Sequence, residues 1–162
     1  MIRRDPDLRA EEGRSLEAGR TALVRLLAVT ARRTSDKFIV VFDGAPGHGA
    51  EPAGGRIVVM FARAPATADD VLKRLARQHR EGAVVVTSDR AVQEAARREH
   101  AVVVSAEDFV DALANPARDD ENDDDEDDRD DGLEKRGNPR RRSREERAAR
   151  RVLARLRRAG FD

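Results

Sequence analysis

Apolar residues in this chain follow two rhythms. Over residues 15–33, SLEAGRTALVRLLAVTARR, the positions Leu16, Leu23, Val24 and Leu27 recur at helical spacing, with arginine on the other face. The pattern predicts a helix with Ser15 as its N-cap, weakened by Gly19. Phe38–Phe42 (FIVVF) is instead a short unbroken apolar run closed by Asp43-Gly44. A run apolar on both faces suits a strand in the middle of a sheet covered by helices. Five glycines and two prolines make residues 44–55 a loop, and Arg56–Phe61 (RIVVMF) predicts a second strand. Thr67-Ala68-Asp69-Asp70 opens the next helix, with Thr67 as N-cap and Asp70 where the acid of a capping box stands. Val71, Leu72, Leu75 and Ala76 form its apolar stripe, and Gly82 is expected to end it. Ala83–Val86 and Ala101–Val104, both AVVV, predict two more strands on either side of a helical stretch from Ala91 to Arg98. Ser105-Ala106-Glu107-Asp108 repeats the cap signature ahead of Phe109, Val110 and Leu113.

Short strands alternating with helical segments indicate βαβ units on a mostly parallel sheet. The expected fold class is α/β, in three layers.

Charge divides the chain. Its 162 residues carry 32 basic and 32 acidic side chains, a formal net charge of zero. Residues 1–117 hold 18 bases and 17 acids, an ordinary globular balance. Residues 118–131, RDDENDDDEDDRDD, hold 11 acids and two arginines, and with almost no apolar residue they cannot fold alone. Residues 135–158 hold 12 bases against Glu145 and Glu146. The expected organisation is a domain over 1–117, an acidic disordered linker over 118–134, and a basic tail with a helix over 135–162. In that tail Val152, Leu153 and Leu156 mark one narrow apolar edge, so the helix either docks on the domain or neutralises nucleic-acid phosphates. The acidic run reads as a solvated linker, or as a segment that folds back on the basic tail and competes with RNA. Arginine outnumbers lysine 29 to 3, a bias that genome composition explains as readily as nucleic-acid binding.

The absence of cysteine excludes disulfides, thiolate metal sites and a thiol nucleophile. No apolar run nears the ~20 residues that span a bilayer, and no signal-peptide core follows Met1. A cytoplasmic protein without membrane contact is expected.

In open parallel sheets, ligands collect at the carboxyl ends of the strands. Asp43 ends one strand, Asp89 follows another, and Asp69 stands in the first turn of a helix that starts at the same edge. Three carboxylates on one rim repel one another unless a cation sits among them. Hard oxygen donors without His or Cys suit Mg²⁺ or Mn²⁺, and such ions serve phosphodiester hydrolysis. Each acid also has a plainer reading: Asp43 as a turn residue, Asp69 and Asp70 as helix N-terminal charges, Asp89 as an N-cap. The case for chemistry lies in their shared edge.

The segments VVFDG, TADD after a strand, VVVTSDR and VVVSAEDF, in this order and spacing, resemble the YacP-like branch of the NYN family, which are PIN-like ribonuclease domains. The resemblance covers roughly residues 1–114. It implies a PIN-like α/β/α fold, a cluster of acids binding divalent metal, and endonucleolytic cleavage of RNA. Matched motif by motif, Asp43, Asp69 and Asp89 are the acids that would hold the metal and carry catalysis. Ser88 is the implied contact to the substrate or to those acids, and Arg90 follows in the same motif as a second substrate contact. Asp70 has no firm counterpart. One departure stands out. The family opens with a strand ending in D-G-x-N, followed by an apolar pair, and here Met1-Ile2 align with that pair. The strand, its Asp and its Asn would then lie upstream of residue 1, either because the chain starts late, which is the preferred reading, or because this is a truncated and inactive relative.

Other constellations are weaker. Gly47-His48-Gly49 lacks P-loop spacing and its Lys. His48, His79 and His100 are scattered and read as exposed, and no Ser–His–acid triad can be drawn from them. Phe38, Phe42 and Phe61 read as core. The leading expectation is a metal-dependent endoribonuclease. The alternative is a non-catalytic RNA- or ribosome-binding module, and a third class is a small phosphatase-like domain.

Overall fold

The computed structural model describes residue 10 and residues 15–45, 55–115 and 143–158. Helix α1 spans Leu16–Arg33, capped by Ser15, whose hydroxyl accepts the Ala18 N–H at 3.0 Å. Its buried stripe is Gly19, Leu23, Leu27, Thr30 and Ala31. Leu16, expected in that stripe, is 54% exposed. The helix presents Gly19 to the core one turn later, so the small residue that lowers helix propensity lies in the packed face.

Strands β1 (Phe38–Asp43) and β2 (Ile57–Ala62) pair in parallel, Phe38 opposite Ile57 and Asp43 opposite Ala62. Helix α2 (Ala68–His79) begins with the expected capping box: the Thr67 hydroxyl accepts the Asp70 N–H at 3.2 Å, and Asp70 Oδ2 accepts the Thr67 N–H at 3.0 Å. Thr67→Ala is expected to cost about 1 kcal/mol, read as a lower urea midpoint; an unchanged midpoint would show that α2 is held by packing alone. The helix stops at His79 rather than near Gly82, because Arg80 takes a φ of 49° and a 3₁₀ turn, Arg80–Gly82, follows. Strand β3 (Val84–Val86), helix α3 (Arg90–Arg98), strand β4 (Val102–Val104) and helix α4 (Ala106–Ala114) complete two βαβ crossovers, with β3 parallel to β4. The α4 cap is Ser105, whose hydroxyl accepts the Asp108 N–H at 3.0 Å.

Alternate strand residues face opposite layers, as a two-residue period requires. Val40, Ile57 and Val104 pack with Leu23 and Leu27 of α1 and Phe109 of α4. Val41 and Met60 pack against Ala68 and Val71 of α2, and Val85 against Ala76 of α2 and Val92 and Ala96 of α3. The architecture is the expected α/β/α sandwich, with α1 and α4 on one face and α2 and α3 on the other.

The sheet itself departs from expectation. Among the described residues β1 pairs only with β2, and β3 only with β4. The run FIVVF was expected to be buried on both sides as a central strand, yet only Val40 in it is fully buried. The free edge of β1 opens on a cavity of about 860 Å³ whose opposite wall is β3.

Helix α5 (Arg144–Arg158) starts at Ser143, whose hydroxyl accepts the Glu146 N–H at 3.1 Å. It docks on the α1/α4 face. Leu156 is 4% exposed in that core, with Val152 and Leu153 packed around it. Arg155 meets Asp36 at 3.0 Å and Arg157 meets Asp111 at 3.2 Å. Of the two readings of the basic segment, docking is the one the helix adopts, while Arg144, Arg147, Arg151 and Arg158 stay exposed on its outer side. The acidic run 118–131 lies outside the described residues. Among the described residues no helix is long and apolar enough to cross a membrane.

Candidate active site

Asp43, Asp69 and Asp89 stand at the edge where the parallel strands end. Asp43 is the last residue of β1, and its Oδ1 accepts the Ala68 N–H at 2.7 Å, so it closes the first turn of α2 from outside. Asp89 caps α3, its Oδ1 accepting the Val92 N–H at 2.9 Å, and its own N–H donates to Thr87 Oγ1 at 3.1 Å. Both carboxylates thus lie against helix N-termini, where the backbone dipole favours negative charge. The plainer cap reading of Asp89 holds, and it leaves the second carboxylate oxygen uncommitted by that bond.

Asp69 is the odd member. It lies one residue inside α2 and its side chain makes no cap. Partial burial, then the Asp89 carboxylate, then Asp43 and Asp70, raise its carboxyl above the ordinary range, while Lys73 pulls it down. Asp70 shows the opposite sign: the Thr67 backbone N–H and then the Thr67 hydroxyl hold it below the ordinary range. Asp70 therefore belongs to the helix cap, and Asp69 registers its partial burial and then the charge of its neighbours.

The three acids share one electrostatic neighbourhood, but they do not close into a coordination shell. Among the described residues no group of three or more His, Cys, Asp or Glu side chains is gathered tightly enough to hold a metal ion. The donor chemistry fits Mg²⁺ or Mn²⁺: hard carboxylate oxygens, and a repulsion at Asp69 that a cation would relieve.

Ser88 Oγ donates to Glu107 Oε2 at 2.7 Å, so its proton is committed to a carboxylate. Arg90, the first residue of α3, is exposed beside the acids. His79 and His100 are exposed as expected, and His48 lies outside the described residues.

Two further residues join this edge. Glu107 is brought in by Ser88, although Ser-Ala-Glu in the sequence marks only a helix start. Nothing in the sequence distinguishes Arg20 among the many arginines. Its guanidinium lies 5.2 Å from the Phe42 ring centroid and 5.5 Å from that of Phe61. It donates to the Asp43 carbonyl at 2.5 Å and to the Ala45 carbonyl at 3.2 Å, fixing the end of β1 that carries Asp43. The two rings, both half-buried, pack with centroids 5.8 Å apart beneath the Arg20 guanidinium.

Comparison with curated proteins and with solved structures gave no match. The family model of the YacP-like NYN domain matches residues 1–158, a span that reaches beyond the 1–114 of the motifs and takes in α5. NYN domains are generally nucleases. The order of strands and helices, the acids at the strand ends and this match over nearly the whole chain agree, and the chain belongs to the YacP-like NYN domain family.

Proposed function

We propose that this domain is a metal-dependent endoribonuclease that hydrolyses internal RNA phosphodiester bonds. The observation that carries the reading is the placement of Asp43, Asp69 and Asp89 on three different elements at one sheet edge, in a chain of the YacP-like NYN family. Asp43, Asp69 and Asp89 would hold the Mg²⁺ or Mn²⁺ ion, which when bound supplies an activated water and charge stabilisation at the phosphate. The chain's own part is positioning. The α2 and α3 caps fix Asp43 and Asp89, Arg20 fixes the backbone under Asp43, and Ser88 holds Glu107 at the same edge. Arg90 is one exposed cation beside these acids that could meet a substrate phosphate.

A second reading has its own support. The acids do not form a closed ligand group among the described residues, and α5 turns four exposed arginines outward. A module that binds RNA or the ribosome without cutting would use that arginine face on phosphates, independent of sequence.

Incubation of the chain with RNA and Mn²⁺, alongside Asp89→Asn, separates the readings. Asparagine keeps the α3 cap, since it caps as well as aspartate, and removes only the charge. Internal cleavage lost in the variant is the expected result. Binding without cleavage in both proteins overturns the nuclease reading and favours the module. Hydrolysis confined to small phosphate monoesters would identify a phosphatase.

A further inference from the structure

Helix α5 carries its positive charge in one line. Arg144, Arg147, Arg151, Arg155 and Arg158 follow one another at steps of three or four residues, and all are exposed. At about 3.6 residues per turn they fall within an arc of about 80°, and at about 1.5 Å per residue they run about 21 Å along the helix. The opposite face is occupied: Leu156 is buried, with Ala149, Val152 and Leu153 packed around it.

The two acids of the helix are engaged elsewhere. Glu145 meets Arg97 at 3.5 Å, and Glu146 Oε2 accepts the Ser143 N–H at 2.9 Å. Within the stripe, among the described residues, Arg155 alone has an ion pair, with Asp36 at 3.0 Å. Each successive pair along the stripe therefore sets like charges at i,i+3 or i,i+4, which opposes helix formation. A face that served only for solvation would alternate its signs. Arginine is the chain's default cation, 29 against three lysines, so its identity carries no weight here. Its placement does.

The stripe lies away from the acids. Arg97 stands in the last turn of α3, ahead of β4, and Asp36 stands just ahead of β1, so both ends of α5 are tied to the edge where strands begin. Asp43, Asp69 and Asp89 stand at the edge where strands end. The length of β1 alone separates the two edges by about 17 Å.

A straight line of positive charge fits a linear polyanion. A stacked nucleic-acid strand carries a phosphate about every 3.4 Å, so about six phosphates lie along the stripe. Guanidinium groups take phosphate oxygens in pairs, and contacts to phosphates alone read no sequence. A lipid surface does not fit, because the apolar face of α5 is buried in the core and none remains to enter a bilayer.

We propose that the α5 stripe docks the sugar–phosphate backbone of single-stranded RNA at the edge remote from the acids. The choice of RNA rests on the nuclease reading above; the fit to a phosphate backbone does not. The distance between the edges takes up about five further phosphates. A strand of about 11 nucleotides is then the shortest that reaches stripe and acids together. Shorter RNA holds one or the other, so long strands are favoured as substrates and short cleavage fragments are released.

The test uses the full chain, fluorescein-labelled oligouridylates of six and twenty nucleotides, and two triple variants. Arg144→Gln/Arg147→Gln/Arg151→Gln discharges the stripe with a residue of similar helix propensity. Because it relieves repulsion, its melting temperature is expected to hold. Arg74→Gln/Arg77→Gln/Arg98→Gln removes the same charge from exposed positions on α2 and α3. Binding is read by fluorescence anisotropy in EDTA across a series of KCl concentrations. The stripe variant is expected to bind the twenty-mer at least tenfold more weakly, and to flatten the slope of log K against log salt by about 2, at about 0.7 per phosphate contact. The α2/α3 variant should match the parent. With Mn²⁺, the stripe variant should raise KM for the twenty-mer while leaving its kcat and cleavage of the hexamer unchanged. Equal affinity and slope in the parent and the stripe variant overturn the proposal. An equal loss in the α2/α3 variant also overturns it, since net charge would then explain the binding. Stripe-dependent binding of poly-glutamate as tight as that of the twenty-mer would give the surface to an acidic peptide and overturn the RNA assignment. Stripe-dependent binding in a parent that cleaves nothing would support the docking surface and remove the nuclease reading.

Discussion

Replacing Leu156 with alanine is expected to cost about 2–5 kcal/mol and to lower the melting temperature of the whole domain. By composition, Leu156 belongs to a strongly basic tail, where such a change would be silent. In the fold it is 4% exposed and sits in one core with Leu23 and Leu27 of α1, Val104 of β4 and Phe109 of α4. Truncation leaves a void among side chains from three elements that cannot all close on it. The ion pairs of α5 do not substitute for this contact. Arg155–Asp36 is half-exposed and, screened by solvent, worth at most about 1 kcal/mol. Arg151→Ala, on the outer face, should shift stability by no more than about 0.5 kcal/mol. Calorimetry of the two variants checks the contrast. Equal melting temperatures for Leu156→Ala and the parent would mean that α5 does not belong to the cooperative unit.

Asp69→Asn should separate stability from activity. An acid with a raised folded-state value binds its proton more tightly when folded. As pH rises, the unfolded chain releases that proton first, and stability falls from the ordinary carboxylate range up through the raised value. At neutral pH the Asp69 charge is therefore unfavourable to folding, and asparagine removes it. The expected result is a protein at least as stable as the parent at pH 7, with a smaller loss of stability as pH rises from the ordinary carboxylate range through the raised value of Asp69, and with cleavage reduced about 10–100-fold. Asp70 has the opposite linkage: its contribution is present at neutral pH and fades as pH falls through its lowered value. Urea titrations across pH, paired with an RNA cleavage assay in Mn²⁺, check both halves. A variant that loses stability at pH 7 would make Asp69 a structural residue. One that keeps full cleavage would remove it from the site.

The caps were legible in the sequence because they depend on residues three apart. Ser15, Thr67, Asp89 and Ser105 each bond a backbone N–H within the same turn. The strands were legible because AVVV and FIVVF have no competing local structure, and their boundaries moved by only a residue or so. Local pattern and fold part company where the outcome depends on distant chain. Leu16 and Gly19 exchange roles because the orientation of α1 is set by β1, β2 and α5, not by its own stripe. Helix α2 stops at His79 through the backbone at Arg80, although Gly82 is the residue with the freedom to stop it.

For the site, sequence alone determined which acids end strands or begin helices, since strand ends and caps are local. Only the tertiary structure decided that Asp89 and Asp43 press on Asp69, that Arg20 and Glu107 join them, and that the basic helix docks. These are contacts across 19 residues or more, from the 19 between Ser88 and Glu107 to the 46 between Asp111 and Arg157. The gap between β1 and β3 belongs with them. A run such as FIVVF specifies a strand with two apolar faces, but its neighbour at each edge is chosen by packing, because backbone amides carry no address of their own.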